Sequence, residues 1–96
     1  MKIISKTELE KLLASDDKFF LLDTREPEEF EDGHINTAIL SPWHSITNKT
    51  EGLSKQTPLI LYCNTGVRAQ KAAHFLEQQG FTNISLYPGG WMEWTS

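Results

Sequence analysis

The stretch from Thr57 to Gln79 constrains this chain more than any other. It opens with Thr57-Pro58, runs through the apolar block Leu59-Ile60-Leu61-Tyr62, passes Cys63-Asn64-Thr65-Gly66-Val67-Arg68, and continues as an Ala-, Leu-, Gln- and Glu-rich segment to Gln79. A short apolar run bounded by a turn reads as a buried strand, and the segment beyond it has helical spacing and stops at Gly80. Cys63 therefore stands where a strand ends. The few residues after it include a glycine free to take positive φ, and they lead into a helix N-terminus whose unpaired N–H groups and dipole favour negative charge. A thiol placed there is biased toward the thiolate.

A lone cysteine at such a point has two readings. One is a small buried hydrophobe closing a core strand. The other is a nucleophile, because cysteine reactivity follows thiolate character, which rises at helix N-termini and beside arginine. Gly66 and Arg68, just beyond Cys63, favour the nucleophile.

The rest of the chain organises around this unit. Ile3-Ile4 reads as a short edge strand, and Ser5-Lys6-Thr7-Glu8 fits a capping box ahead of Leu9, Leu12 and Leu13 at helical spacing. Phe19 to Asp23 is an unbroken apolar run ending in a carboxylate, the pattern of a strand buried on both faces of a parallel sheet. Pro27 to Asp32 predicts a short helix, with Pro27 at its first position, Glu28 and Glu29 in its first turn and Gly33 as its stop. Ala38-Ile39-Leu40 predicts another short strand, halted by Ser41-Pro42. The region from Trp43 to Gln56 reads as irregular, with a helical turn around His44-Ser45-Ile46. Asn83 to Tyr87 predicts the last strand, Pro88-Gly89-Gly90 a turn, and Trp91 to Trp94 a terminal helical turn.

Strands alternating with helices at this spacing give an α/β fold: a central parallel sheet of about five short strands covered by helices on both faces. Ligands of such sheets bind beyond the carboxyl ends of the strands, where Asp23, Cys63 and the turn after Tyr87 all fall.

The totals narrow the function. A length of 96 residues predicts one domain over 1–96, and 39% hydrophobic with 23% charged residues is ordinary globular usage. No apolar run approaches the roughly 20 residues of a membrane span, so no membrane role is expected. A net charge of -4, with no cluster among the nine Lys and Arg residues, argues against nucleic acid as partner. Three dispersed histidines and one cysteine lack the spacing of a zinc site, and no metal is expected. One cysteine cannot form an internal disulfide, which suits a reducing, cytoplasmic location.

Cys63-x-x-Gly66-x-Arg68 between strand and helix carries a family resemblance, together with Asp23-Thr24-Arg25-Glu26-Pro27-Glu28-Glu29-Phe30, Gly33-His34-Ile35 and Gly89-Gly90-Trp91. Taken in their order along the chain, these four segments resemble a single-domain rhodanese, a sulfurtransferase, from about Phe19 to Trp94. The resemblance implies that Cys63 attacks the sulfane sulfur of a small donor such as thiosulfate and holds it as a persulfide. A thiophilic acceptor, cyanide or a thiol, then takes the sulfur, with no cofactor required. A protein that accepts the sulfur is a further partner this family suggests.

Around Cys63, the backbone of Asn64, Thr65, Gly66, Val67 and Arg68 is expected to curl into a nest of N–H groups for an anionic sulfur. Arg68 is expected to bind the oxyanion end of the donor or to reinforce the loop, and Trp91 to wall the pocket, with Trp43 a weaker candidate. Asp23 and Arg25 are expected to be structural, Arg25 tied to Glu29 or to the loop. His34 is expected to bond a carbonyl rather than act as a base, and Trp94 to pack.

Two departures from the family pattern stand out. Rhodaneses read close to His-Ile-Pro-Gly-Ala-x-Asn-Ile-Pro where this chain has His34-Ile35-Asn36-Thr37-Ala38-Ile39-Leu40-Ser41-Pro42. Asn64 and Thr65 are also neutral, which weakens the expectation of an anionic donor. Rhodanese-like phosphatases share this kind of loop, but theirs is one residue longer than the four between Cys63 and Arg68. A tighter ring of N–H groups suits a sulfur atom better than a phosphoryl group. The rival from another class is a rhodanese-like sulfur-carrier or protein-binding module without significant turnover.

Overall fold

The computed structural model describes residues 1 to 96. Its elements are β1 (Lys2–Ile3), α1 (Lys6–Leu13), β2 (Phe20–Asp23), α2 (Pro27–Asp32), β3 (Ile39–Leu40), a 3-10 turn (Trp43–Ser45), α3 (Thr47–Thr50), β4 (Leu59–Tyr62), α4 (Val67–Gln78), β5 (Ile84–Leu86) and α5 (Gly90–Trp94). The capping box forms as the sequence predicts: Glu8 N–H donates to Ser5 Oγ (3.1 Å) and Ser5 N–H to Glu8 Oε1 (2.9 Å).

All five strands run parallel in the order β1-β5-β4-β2-β3. From β2 the chain moves outward to β3, and from β4 it moves the opposite way to β5. The order therefore reverses between β2 and β4, and the carboxyl ends of those two strands flank the crevice where ligands of such sheets bind.

Alternation along the strands splits the core in two. On one face Leu22, Leu59, Leu61, Ile84 and Leu86 pack against Ala69, Ala72, Ala73 and Leu76 of α4, and Cys63 belongs to this cluster. On the other, Leu21, Ile60, Tyr62 and Tyr87 pack against Leu9 of α1 and Ile35. Helices thus cover both faces, because a strand buried on both sides needs a partner for each.

Boundaries shift where edges and loops are concerned. The first strand is Lys2–Ile3 rather than Ile3-Ile4, although Ile4 N–H still reaches Leu86 O at 2.9 Å. The segment after Trp43 is more ordered than its composition suggests: Ile46 inserts into the cluster that holds Cys63, and this anchor stabilises the 3-10 turn and α3 around it.

Thr37 occupies the position where the family pattern has glycine, and it carries φ 73°, a left-handed conformation that costs a β-branched residue about 1–3 kcal/mol. Thr37→Gly is accordingly expected to stabilise the protein by about 1 kcal/mol, the relief of strain exceeding the entropy glycine adds to the unfolded chain. Urea midpoints of the two proteins check this; an unchanged or lower midpoint contradicts it.

Candidate active site

Strand β4 delivers Cys63 to the crevice, and the chain then turns back over the sulfur. Gly66, at φ 99°, makes that reversal and caps α4. A side chain there would also press on Pro88 O, 3.0 Å from an added Cβ. The turn aims two backbone donors at Cys63 Sγ, Gly66 N–H at 3.0 Å and Ala69 N–H at 3.4 Å. Ala69 lies in the first turn of α4, whose N–H groups have no partner within the helix. The chain beyond β5 braces the loop from outside: Trp91 N–H donates to Cys63 O (2.8 Å) and Met92 N–H to Asn64 O (3.2 Å). Gly90, at φ 64°, allows this approach, since a Cβ there would overlap both carbonyl oxygens.

Cys63 is 1% exposed. The most voluminous surface cavity, about 540 Å³, lies elsewhere, along the outer face of α4 between Met1, Val67, Lys71 and Phe75. Cys63 is thus enclosed by its loop and does not open into that cavity. On that loop Thr65 and Val67 face solvent, and Asn64 is half-buried.

Arg68 points to α2. Its Nη1 and Nη2 donate to Glu29 Oε1 and Oε2 at 2.6 and 3.0 Å, a bidentate pair. The Arg68 hydrogen bond holds the Glu29 carboxyl well down, to about 2, and Glu29 in turn raises the Arg68 guanidinium further. The expectation that Arg25 ties to Glu29 or to the loop is corrected by the same contacts: Glu29 is taken by Arg68, and Arg25 turns inward.

Asp23 and Arg25 form a buried brace. Arg25 Nε and Nη2 bind Asp23 Oδ1 and Oδ2 at 3.0 and 2.7 Å, and Nη2 also donates to Gly33 O at 2.7 Å. Tyr62 Oη donates to Asp23 Oδ2 (2.7 Å) and accepts from Ile35 N–H (3.0 Å), so β2, β4 and the chain after α2 are tied together. Thr24, just past β2, donates both its N–H and its hydroxyl to Tyr62 O at 2.9 and 3.0 Å, which sets this strand end beside Cys63.

Burial, then the hydrogen bond to Asp23, raise the Tyr62 phenol. The folded protein keeps this proton, whereas the unfolded chain releases it near the ordinary phenol value of about 10. Stability is therefore intact below that pH and falls as pH climbs above it. Urea midpoints between pH 8 and pH 11 should decline, and Tyr62→Phe, although less stable at pH 8, should decline less steeply; equal slopes contradict the assignment.

The tryptophans separate by sheet face. Trp91 meets the crevice with its backbone, but its ring packs with the Tyr62 cluster, under Arg25 at 5.3 Å and against Gly33, on the face opposite Cys63. The expectation of a Trp91 wall is corrected accordingly. Trp43 packs with the Cys63 cluster, with Lys71 over its ring at 5.2 Å. Trp94 packs edge-on to Tyr87. His34 bonds Phe30 O at 2.8 Å and stacks on the Phe30 ring, the carbonyl contact expected of it.

Sequence reasoning missed Ala69 and Glu29. Ala69 was within reach of it, since every first-turn N–H of α4 lacks a helical partner. Nothing in the local pattern around Glu29 points across the fold to Arg68.

A parallel sheet that presents one cysteine at its switch point, with loop N–H groups turned onto the sulfur, defines a class of thiol-bearing α/β domains. A family model for the rhodanese-like domain matches residues 5–96, and the chain belongs to that family. It is 31% identical to a protein of Allochromatium vinosum named as a sulfurtransferase, over 95% of this chain and 85% of that one. Its fold is that of the rhodanese-like domain protein of Staphylococcus aureus, at a TM-score of 0.87 and 30% identity, covering 98% of this chain and 91% of that one. The human single-domain sulfurtransferase TSTD1 superposes with a TM-score of 0.84 at 26% identity, covering 99% and 96% of the two chains. Membership of this family, with a single cysteine at its loop, supports sulfur transfer as the general chemistry. No helix is long and apolar enough to cross a membrane.

Proposed function

We propose that residues 1–96 act as one rhodanese domain that moves a sulfane sulfur from a small donor to a thiophilic acceptor through a persulfide on Cys63. The observation that carries this reading is the pair of N–H groups, from Gly66 and Ala69, directed at Sγ. Such donors stabilise negative charge on the attacking thiolate and on the persulfide. With thiosulfate as donor, the thiolate forms a bond to the outer sulfur, the S–S bond of thiosulfate breaks, and its electron pair leaves on sulfite. Cyanide or a thiol then attacks the outer sulfur of the persulfide and returns Cys63 as thiolate. Electrons balance without a cofactor, and ping-pong kinetics follow.

Asn64, Thr65 and Val67 form the side from which a donor approaches, with Asn64 held through its carbonyl. Trp91 acts through its N–H on Cys63 O. Asp23 and Arg25 support the strand ends, and His34 supports the exit of α2. A free thiolate suits a reducing compartment such as the cytoplasm.

Intact mass after incubation with thiosulfate and, separately, with glutathione persulfide tests the reading. A gain of about 32 Da, one sulfur atom, reversed by cyanide or a thiol with release of thiocyanate or persulfide, is the expected covalent step. Loading without repeated turnover would instead identify a sulfur carrier. A protein that no donor modifies would leave a binding module.

A further inference from the structure

The cation of the catalytic loop is already engaged. Both Nη groups of Arg68 are taken by Glu29, in a pair that is 28% and 35% exposed. Glu29 is held from a second side as well, because its Oε1 accepts the Glu26 N–H at 3.0 Å at the start of α2. It is ionised throughout the physiological range. α2 and its N-cap add Glu26, Glu28, Glu31 and Asp32 and hold neither Lys nor Arg, and Arg25, just before them, is bound to Asp23. Of these carboxylates, Glu26 meets His44 at 3.1 Å. Lys71, one turn further along α4, sits over Trp43. Asn64 and Thr65, between Cys63 and Gly66, are neutral. Beyond the Gly66 and Ala69 N–H groups, a dianion approaching Sγ must displace Glu29 before Arg68 can bind it.

We infer that Glu29 is a specificity-determining residue, which sets this site against dianionic donors such as thiosulfate and in favour of low-charge hydropersulfides, R–S–SH. The inference rests on the sulfur transfer proposed for Cys63 and names its donor class. With a hydropersulfide, the Cys63 thiolate bonds to the outer sulfur, the S–S bond of the donor breaks, and the electron pair leaves on RS⁻. Cys63 retains S–SH, so no charge accumulates beyond what the Gly66 and Ala69 N–H groups face.

Glu29→Gln keeps an oxygen for the Glu26 N–H but removes the charge. In this variant thiosulfate loading is expected to rise on the order of tenfold in kcat/KM, mainly through KM, while loading from glutathione persulfide changes by less than about twofold. Glu29→Asp, which keeps the charge, should keep the discrimination, and adding Arg68→Ala to Glu29→Gln should abolish the gain. The same variants in a Cys63→Ser background, titrated with thiosulfate and followed by NMR at the amides of residues 66–69, read anion binding without any chemistry. Tighter thiosulfate binding with Glu29→Gln, reversed by Arg68→Ala, supports the charge gate even if no donor loads Cys63 in any variant, which would overturn only the transfer. Unchanged thiosulfate affinity, or an equal change for both donors, would make Glu29 a structural clamp and overturn the inference.

Discussion

Cys63→Ser is expected to take up no sulfur from any donor while keeping the fold. The Gly66 and Ala69 N–H groups point at this position, so a hydroxyl there meets donors, although its shorter bond to Cβ lengthens those contacts. The side chain is buried beside Leu61 and Ala69, and exchanging a weakly polar thiol for a hydroxyl there costs about 1–3 kcal/mol. That is a small loss against a total of about 5–15 kcal/mol for an ordinary domain. Chemically the change is complete. A serine hydroxyl is not ionised at neutral pH, and no base stands beside Cys63 to activate it, since neither His34 nor His44 bonds to this loop. Intact mass should show the gain of about 32 Da on the parent protein alone. As this is the sole cysteine, sulfur on the serine variant would mean that the adduct forms away from the proposed nucleophile.

Asp23→Ala is expected to be the most destabilising single change in the brace, at about 3–5 kcal/mol, because removing one partner of a buried ion pair leaves the other charge uncompensated. Arg25 is 2% exposed and takes both oxygens of Asp23, and the Tyr62 hydroxyl would lose its acceptor as well. In a domain of this size each kcal/mol moves the melting temperature by about 4–8 °C, so a fall of at least about 12 °C should be seen by calorimetry or circular dichroism. Asp23→Asn keeps an acceptor for Tyr62 and should lose less. A drop below about 1 kcal/mol for the alanine variant would show that the brace is not a major stabilising unit.

Most strands and helices are legible in short stretches because their signals are short-range. The apolar run Leu59–Tyr62 became a strand buried along its whole length, the Ser5/Glu8 box started α1, and Pro27 opened α2. The segment after Trp43 was hard to read for the converse reason: its order comes from Ile46 entering a core built by residues distant in sequence. The side of the sheet that takes the Trp91 ring is not legible in any local pattern. Trp91 follows Gly90 onto the Tyr62 side of the sheet, while Cys63, one residue beyond Tyr62, belongs to the other side.

The sequence by itself determined the α/β class, the βα repeat and the position of Cys63 at a strand end before a helix, because periodicity, capping and chain continuity act over a few residues. Only the tertiary structure decided the strand order that puts β2 beside β4, the inward turn of Arg25 onto Asp23, and the capture of Arg68 by Glu29. That last pair is separated by 39 residues. Charges find such partners through the geometry of packed elements, and both residues would look the same in the sequence had they faced water.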